Sequence, residues 1–339
     1  MGSVQKTGGK REGLFARMLN GGIQQMPIIK GTVDDDAFSA VLPVGFNQLL
    51  AVGWTYSGGT NNTQKGWAVG FKPDGAILFD SKHGTGKSDG FLGLVATQTL
   101  PLAFGYQDDK GWLAEIKPDG SLGEEAKQSF SAHTLRWTAG HIPDPLSKVV
   151  YLAGQLTDNS GLQRTAVAAV DLATLSTKWL KVVGTGGEQP MALVANTAGK
   201  SQLVVAGTQG SGVATAAWLV VLDGDGKVLG ITTEAKVGPR AYLALHPGPQ
   251  GDLVALGGAE QLGVNPTDLP SYGWFARWDG AVTQLKVGRA LTAGKRQMFT
   301  AAVPFGPGYL LAGNVSGLGL HRQGWLVQVN YDGLMGCGQ

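Results

Sequence analysis

Few residues of this chain have types and spacings that support chemistry. The stretch HGTGKS at 83–88 ends like a phosphate-binding loop, but Ser81 stands where such a loop has its first Gly, and no helical pattern follows. The five histidines lie at unlike positions of the repeat described below, whereas a metal site needs three or four converging ligands. The one GxSxG match, at residues 86–90, overlaps this stretch and is not followed by the helical pattern that a nucleophile elbow requires, and no HExxH zinc motif occurs. The sequence therefore predicts no metal and no cofactor, and it shows no signature of an enzyme.

The bulk composition limits the class of protein. Glycine accounts for 54 of 339 residues, about twice its usual share, and 43% of the residues are hydrophobic. This combination is typical of a folded protein with many short strands and tight turns. The 27 basic and 25 acidic residues nearly cancel, which argues against nucleic acid as a partner. The single cysteine excludes an internal disulfide, and no apolar run is long enough to predict membrane insertion.

One strand-and-turn pattern recurs along the chain. GWAVGFKPDG at 66–75 is nearly repeated as GWLAEIKPDG at 111–120, and the other copies are more divergent. Successive copies begin 45 to 56 residues apart, a period that indicates a propeller or a solenoid. The copies start at Gly13, Gly66, Gly111, Thr165, Ala217, Gly273 and Gly324.

A second pattern, an apolar run that ends in glycine, alternates with the first. Another apolar run precedes it, so that each unit holds four runs of 5 to 8 residues bounded by turn residues. Because such runs predict strands and no longer segment has a helical period, we expect an all-β protein with almost no helix. The glycines that end these runs are Gly53, Gly105, Gly154, Gly207, Gly257 and Gly313.

These units predict a β-propeller built from four-stranded antiparallel blades. One such blade cannot bury both of its faces alone, whereas blades arranged radially cover one another. The inner pair of strands occurs six times, which favours six blades, with seven as the alternative. Because the last unit is short of a fourth strand, we expect a strand from the N-terminal stretch to close the ring. Residues 1–12 are then a flexible N-terminal segment, and residues 13–339 are a single β-propeller domain.

The recurring residues have structural explanations. In the Lys-Pro-Asp-Gly turns at 72–75 and 117–120, Asp bonds back to the backbone and Gly takes a positive φ, which favours a hairpin turn over a calcium loop. Asp223 and Asp225 are the best calcium candidates, but Val228 stands where an EF-hand loop requires Gly. The tryptophans that recur in the first pattern are expected to pack between neighbouring blades.

Two copies of the first pattern carry a family resemblance. WLVQVNYDGLMGC at 325–337 and WLVVLDGDGKVLG at 218–230 resemble the W-L-V-K-L-D-x-x-G repeat of the bacterial β-propeller repeat proteins. The resemblance extends over roughly residues 13–339. It implies a propeller fold and an extracytoplasmic protein, because members are mostly secreted or surface-associated, and it carries over no catalytic residue. The chain departs from the repeat at Thr165, where the aromatic residue is missing, and at 278–280, where the turn is shorter.

Loop length predicts where a partner binds. The connections between first and second strands and between third and fourth strands are short turns on one rim, whereas the longer and more varied connections share the opposite rim. Because variable loops on a rigid frame carry recognition, we predict that this long-loop rim binds a partner. The alternative is that its basic residues only keep the surface soluble. The basic residues assigned to the rim are Lys65, Lys87, Arg164, Arg240, Lys295, Arg296 and Arg322.

Three functional hypotheses follow. The first is a non-enzymatic propeller, periplasmic, surface-bound or secreted, that serves as an interaction scaffold for a protein partner or an anionic glycan. The second is a carbohydrate-binding protein or an enzyme with its site at the axial mouth, since fold alone does not decide function. The third is an obligately oligomeric subunit of a secretion, pilus or phage assembly. Carboxylates or histidines that converge at the axis would favour the second hypothesis.

Overall fold

A computed structural model gives the structure of most of the chain. Every regular element among the described residues is a β-strand, which confirms the all-β prediction. No helix in this part of the chain is long and apolar enough to cross a membrane. The described residues are 2–5, 11–15, 18–19, 22–23, 28–30, 35–45, 47–57, 63–130, 133–196, 202–210, 215–234, 238–248, 251–260, 271–292, 296–316 and 323–335.

The N-terminal strands form two small antiparallel sheets. They are β1 (Gly2–Gln5), β2 (Arg11–Phe15), β3 (Met18–Leu19), β4 (Gly22–Ile23) and β5 (Ile28–Lys30). Strands β1, β2 and β5 form one sheet, and β3 pairs with β4. Strand β1 and the start of β2 fall within residues 1–12, which the sequence assigns to a flexible segment. The boundary of the propeller domain stays a prediction.

Three four-stranded sheets follow, each with its strands in chain order. The first contains β6 (Asp36–Pro43), β7 (Leu49–Ser57), β8 (Thr63–Phe71) and β9 (Ile77–His83). The second contains β10 (Asp89–Val95), β11 (Leu102–Gln107), β12 (Lys110–Ile116) and β13 (Leu122–Gln128). The third contains β14 (Thr134–His141), β15 (Val149–Thr157), β16 (Gln163–Asp171) and β17 (Thr177–Val183).

The remaining repeats continue this arrangement. One sheet contains β18 (Glu188–Asn196), β19 (Gln202–Gln209), β20 (Ala216–Asp223) and β21 (Val228–Glu234). The next contains β22 (Gly238–Pro247), β23 (Leu253–Glu260), β24 (Ser271–Trp278) and β25 (Leu285–Leu291). The last contains β26 (Arg296–Phe305), β27 (Gly308–Ser316) and β28 (Gln323–Asn330). A single parallel pair, Ser271 with Arg296, links β24 to β26.

From β6 onward, six antiparallel sets of three or four strands thus coincide with the six repeats of the inner strand pair, and the parallel pair joins the last two sets into one sheet. After β28, Met335 makes an isolated bridge to Val329. Among the described residues that follow β28, this bridge is the only pairing at the position of a fourth strand. Closure of a ring by the N-terminal stretch stays a prediction. The chain forms two compact units, Met1–Gly161 with Ala169–Lys178, and Leu162–Ala168 with Trp179–Gln339.

The repeated glycine of each second strand is required by a bulge in the first strand. Gly53 pairs with Phe38 on one side and Trp67 on the other, and the register shifts just after Phe38. The shifted backbone brings the carbonyl oxygen of Ala37 to the place where a Gly53 side chain would begin. The same collision with a first-strand carbonyl would occur at Gly105, Gly154, Gly207, Gly257 and Gly313.

Trp112 fills the space between two neighbouring sheets, as the sequence predicts for the recurring tryptophans. In the first unit, Phe91 and Trp112 stack with ring centres 4.4 Å apart. Trp112 is buried in the same cluster as Val52 and Ala68 of the preceding sheet. At Gly66 an added Cβ would lie 2.8 Å from the Trp112 ring, so the two sheets approach as closely as a glycine allows. This interface therefore depends on a large residue on one sheet and a minimal one on the other.

The Lys-Pro-Asp-Gly segments are hairpin turns, which confirms the structural interpretation. Asp74 Oδ1 accepts the amide of Ala76 at 3.0 Å, and Asp119 Oδ1 accepts the amide of Ser121 at 2.9 Å. Gly75 has a φ of 89°, in the left-handed region that favours glycine. In the DGDGK segment, Asp223 Oδ1 likewise accepts turn amides rather than standing free.

Candidate functional site

The long-loop rim of the sheet β10–β13 gathers polar residues from several strands. Asp89 opens β10, is completely buried, and pairs across the sheet with Gln107 at the end of β11. Lys65, near the start of β8 in the preceding sheet, reaches the Asp89 carboxylate. Because antiparallel strands begin and end at the same rim, residues that are distant in the sequence meet here.

The loop at 84–88 wraps around the Asp89 carboxylate. The Gly86 amide donates to Asp89 Oδ2 at 2.9 Å, and Lys65 Nζ lies 3.7 Å from the same oxygen. The Lys65 ammonium also donates to the carbonyl oxygens of Gly84 and Gly86, at 3.0 and 2.9 Å. Side chains at Gly84 and Gly86 would collide with the Asp89 carboxylate. The stretch that resembles a phosphate-binding loop therefore surrounds the carboxylate of Asp89.

Asp108 holds the other side of this loop. Its φ of 51° is left-handed, and its amide donates to the carbonyl oxygen of Ser88 at 2.7 Å. Its Oδ1 accepts the Lys87 amide at 2.8 Å. Its Oδ2 and Asp89 Oδ1 both point to the place that a side chain on Gly86 would occupy. Two carboxylates, one buried and one exposed, therefore face each other across a glycine.

The electrostatics of this pair follow from its burial. Removal from water raises the pKa of the Asp89 carboxyl, because the ionised form loses its hydration. The Lys65 ammonium lowers that pKa, and the Asp108 carboxylate raises it further. Asp89 Oδ1 is buried and has no hydrogen-bond partner among the described residues.

An aromatic ring and a guanidinium group extend the polar cluster. Arg136 of β14 lies over the ring of Tyr106, with its Cζ 4.4 Å from the ring centre. Such a cation–π contact contributes about 1 kcal/mol. Burial raises the pKa of the Tyr106 phenol. Thr134 donates to Asp109 Oδ1 at 3.1 Å, so the start of β14 is bonded to the turn between β11 and β12.

A loop in the other unit repeats the construction. Residues 184–188, GTGGE, lead into β18, and Glu188 is completely buried at its start. Glu188 Oε1 accepts the amides of Thr185 and Gly186 at 2.7 and 3.0 Å. Gln209, directly across the sheet, donates to the same oxygen at 3.1 Å. Glycine-rich loop, buried acid and cross-strand glutamine therefore recur together.

The two loops differ at one informative position. Gly210, with a φ of 90°, takes the place of Asp108 and makes the corresponding backbone bond, its amide to the carbonyl oxygen of Gly187 at 3.1 Å. The first loop thus has a carboxylate where the second loop has none. The sequence drew attention to the first loop only through its likeness to a phosphate-binding loop and did not predict the second, although GTG followed shortly by an acid occurs in each.

The predicted rim residues have different surroundings. Lys65 is half-buried and donates from β8 to the loop at 84–88, whereas Lys87 and Arg164 are exposed. For Arg240 and Arg296 the structure describes only the backbone. Lys295 and Arg322 lie outside the described residues. Their role in binding stays a prediction.

A cavity of about 370 Å³ lies at the opposite, short-turn rim of the first unit. Its walls are residues 95–98, at and just after the end of β10, and Gly140, His141, Ile142 and Pro145, at and just after the end of β14. The Thr97 hydroxyl donates to the Leu100 carbonyl at 2.6 Å, which fixes one wall. Apolar surface with a few polar groups suits a small polar molecule.

No protein-family model matches the chain. Nor does any curated protein. Solved structures do resemble it. A proposed 6-phosphogluconolactonase from Bacteroides uniformis is 14% identical, with a TM-score of 0.55 over 91% of this chain and 86% of that one. A lectin from Burkholderia pseudomallei is 13% identical, with a TM-score of 0.52 over 86% and 84%. The WD40 domain of Neurospora crassa Pan2 is 9% identical, with a TM-score of 0.50 over 83% and 75%.

The sheets and these likenesses together define the class of the protein. Repeated four-stranded antiparallel sheets in chain order are the blades of a propeller, and the WD40 domain is one of the structures that resemble the chain. The chain is an all-β, propeller-like repeat protein. At these sequence identities the likeness concerns the fold and leaves the activity open.

Proposed function

We propose that this protein is a non-enzymatic β-propeller that binds a partner through its long-loop rim. Its six blades form a ring that the N-terminal stretch closes. The partner is a protein, within a surface or other extracytoplasmic assembly, or an anionic glycan. The propeller-like architecture supports this proposal, because a rigid frame with variable loops is suited to recognition.

The observation that carries the proposal is the internal bonding of the loop at 84–88. The backbone of this loop is hydrogen-bonded to the side chains of Lys65, Asp89 and Asp108. Lys87, at its outer side, keeps an exposed side chain. A loop that is already ordered loses less conformational entropy when a partner binds, so its exposed cation is an efficient contact for an anionic group.

Immobilised heparin, a polyanion, tests this rim directly. The double variant Lys87→Glu with Arg164→Glu reverses two cations of the long-loop rim that are exposed among the described residues. Lys72→Glu with Lys117→Glu makes the same charge change at exposed turns of the opposite rim and is the matched control. We expect the long-loop variant to elute at clearly lower salt than the control, because fewer phosphate-like or sulfate contacts give a weaker salt-dependent interaction. Equal elution of the two variants would contradict the proposal.

A carbohydrate-binding protein is the second candidate, favoured by the cavity at the short-turn rim. Its walls combine Val95 and Ile142 with the polar groups of Gln98 and His141, a mixture suited to a sugar. Titration calorimetry with a panel of neutral mono- and disaccharides tests it. Binding that is lost in Gln98→Ala and His141→Ala would support this candidate, and absence of heat across the panel would contradict it.

A further inference from the structure

Two buried oxygen atoms at the long-loop rim of the first unit lack hydrogen-bond donors among the described residues. They are Asp89 Oδ1 and Gln107 Oε1. Asp89 is 0% exposed and Gln107 is 4% exposed, so neither side chain has appreciable contact with bulk water. The two residues are directly opposite each other in the pairing of β10 and β11. A buried acceptor without a partner destabilises the folded chain, which indicates that something else satisfies these oxygens.

A third oxygen comes from Asp108. Because Asp108 Oδ1 is held by the Lys87 amide, Oδ2 is directed inward to the side of Gly86 that Asp89 Oδ1 also faces. Gly86 has no side chain to occupy this side. Two carboxylate oxygens therefore converge on a cradle that is open at the exposed Asp108.

Lys65 does not donate a hydrogen bond to Asp89 Oδ1. Its ammonium group lies beside the other oxygen of the Asp89 carboxylate, Oδ2, and its hydrogen bonds go to the carbonyl oxygens of Gly84 and Gly86. One positive charge therefore faces two carboxylates, and a net negative charge is left on the side of Asp89 Oδ1.

In the loop at 184–188, the corresponding buried acid and cross-strand glutamine both have hydrogen-bond partners. There the cross-strand glutamine, Gln209, donates to the buried acid, and its own Oε1 accepts the Thr233 hydroxyl at 2.9 Å. Glu188 accepts the amides of Thr185 and Gly186. Both residues are satisfied, and Gly210 supplies no carboxylate.

We propose that Asp89 Oδ1, Asp108 Oδ2 and Gln107 Oε1 form a low-affinity calcium site. Carboxylate and amide oxygens are the ligands that Ca²⁺ prefers, and water completes its coordination on the exposed side of Asp108. The described His, Cys, Asp and Glu residues form no group of three suited to a metal, so this site relies on two acids and one amide. With few charged ligands, a dissociation constant of about 10⁻⁴–10⁻³ M is expected, the range of extracellular modules.

Calcium titration of the chelator-treated full chain tests the site. We expect binding heat for CaCl₂ by calorimetry and a rise in melting temperature at millimolar CaCl₂. Asp108→Asn keeps an oxygen for the Lys87 amide but removes the second carboxylate oxygen, so Ca²⁺ binding should weaken at least about tenfold. Asp108→Gly copies the residue of the second loop, keeps the left-handed backbone, and should abolish the response.

Asp109→Asn is the matched control, because it removes one exposed negative charge at the neighbouring position and leaves the three oxygens in place. It should bind Ca²⁺ like the unaltered chain. The proposal is overturned if the unaltered chain gives neither heat nor a melting shift with CaCl₂. It is also overturned if Asp108→Asn and Asp108→Gly, shown to be folded by circular dichroism, respond as strongly as Asp109→Asn.

Discussion

At the scale of the residue, Lys65 has intrachain bonds that its sequence does not reveal, and its role in binding stays a prediction. The sequence places it among the exposed cations that meet a partner, but its ammonium group is used within the chain, by two loop carbonyls and a buried carboxylate. A lysine in a loop-rich segment has no sequence feature that separates these two roles. The buried acid that decides between them lies on a different strand, so only the register of the strands reveals it.

Tyr309 predicts how stability depends on pH in the alkaline range. Its side chain is 1% exposed, and burial, with the nearby Tyr331 and Asp252, raises its pKa from 10.0 to about 12. Between these values the unfolded chain loses the phenolic proton while the folded chain keeps it, so stability falls as pH rises. The loss reaches about 2–3 kcal/mol near pH 12.

Urea unfolding at pH 9 and pH 11 measures this effect. Tyr309→Phe should show a smaller loss of stability between the two pH values than the unaltered chain, whatever its stability at pH 9. Equal losses in the two proteins would remove Tyr309 from the explanation.

The tryptophan indoles give a second prediction at this scale. Trp67 Nε1 donates to Asp80 at 2.8 Å and Trp112 Nε1 to Glu125 at 3.1 Å, each acid lying on the fourth strand of its sheet. Trp218 Nε1 is buried without a partner among the described residues, and Ile231 stands at the equivalent fourth-strand position. Ile231→Glu should supply the acceptor and stabilise the protein by about 1 kcal/mol.

Ile231 is 50% exposed, so the added carboxylate keeps most of its hydration. Leu229→Glu, at a site 49% exposed on the same strand, is the control for the loss of an apolar surface residue. Urea midpoints should rise for Ile231→Glu and not for Leu229→Glu. A rise in neither, or the same change in both, would show that the indole is satisfied in another way.

At the scale of the element, the close approach of two neighbouring sheets requires a glycine at the point of contact. Gly66→Ala would place a Cβ 2.8 Å from Trp112 and 3.0 Å from Phe91, both rigid and buried, so the two sheets would have to separate. Overpacking of this kind costs about 1–3 kcal/mol. Gly324 occupies the same position in its repeat, and no described atom lies within 4 Å of its added Cβ.

Thermal and urea unfolding of Gly66→Ala and Gly324→Ala compare the two positions. We expect clear destabilisation for the first and a change within about 0.5 kcal/mol, or a slight gain, for the second. Similar losses at both positions would mean that the cost comes from the strand backbone and not from the neighbouring sheet.

At the scale of the whole molecule, the N-terminal strands give the test of ring closure. Strands β1 and β2 lie beside β6 in the first unit, and the last sheet has three strands with the short return at Met335. If the N-terminal stretch closes the ring, removal of residues 1–30 should lower the urea midpoint and broaden the transition, because two sheet edges lose their cover.

Removal of residues 337–339 is the control for trimming a chain end. It should leave the midpoint unchanged, since the short return at Met335 is retained. If the chain without residues 1–30 unfolds at the same midpoint and as sharply as the unaltered chain, closure by this stretch is wrong.

The sequence by itself determined the all-β class, the repeat and its turns, because these depend on local chemistry. The Asp of each Lys-Pro-Asp-Gly turn, for example, bonds to an amide two residues further along its own turn. Only the tertiary structure brought Asp89, Asp108 and Lys65 together and separated them from the exposed Lys87. Strand register sets these encounters, and it joins residues from different strands whose local sequences give no sign of one another.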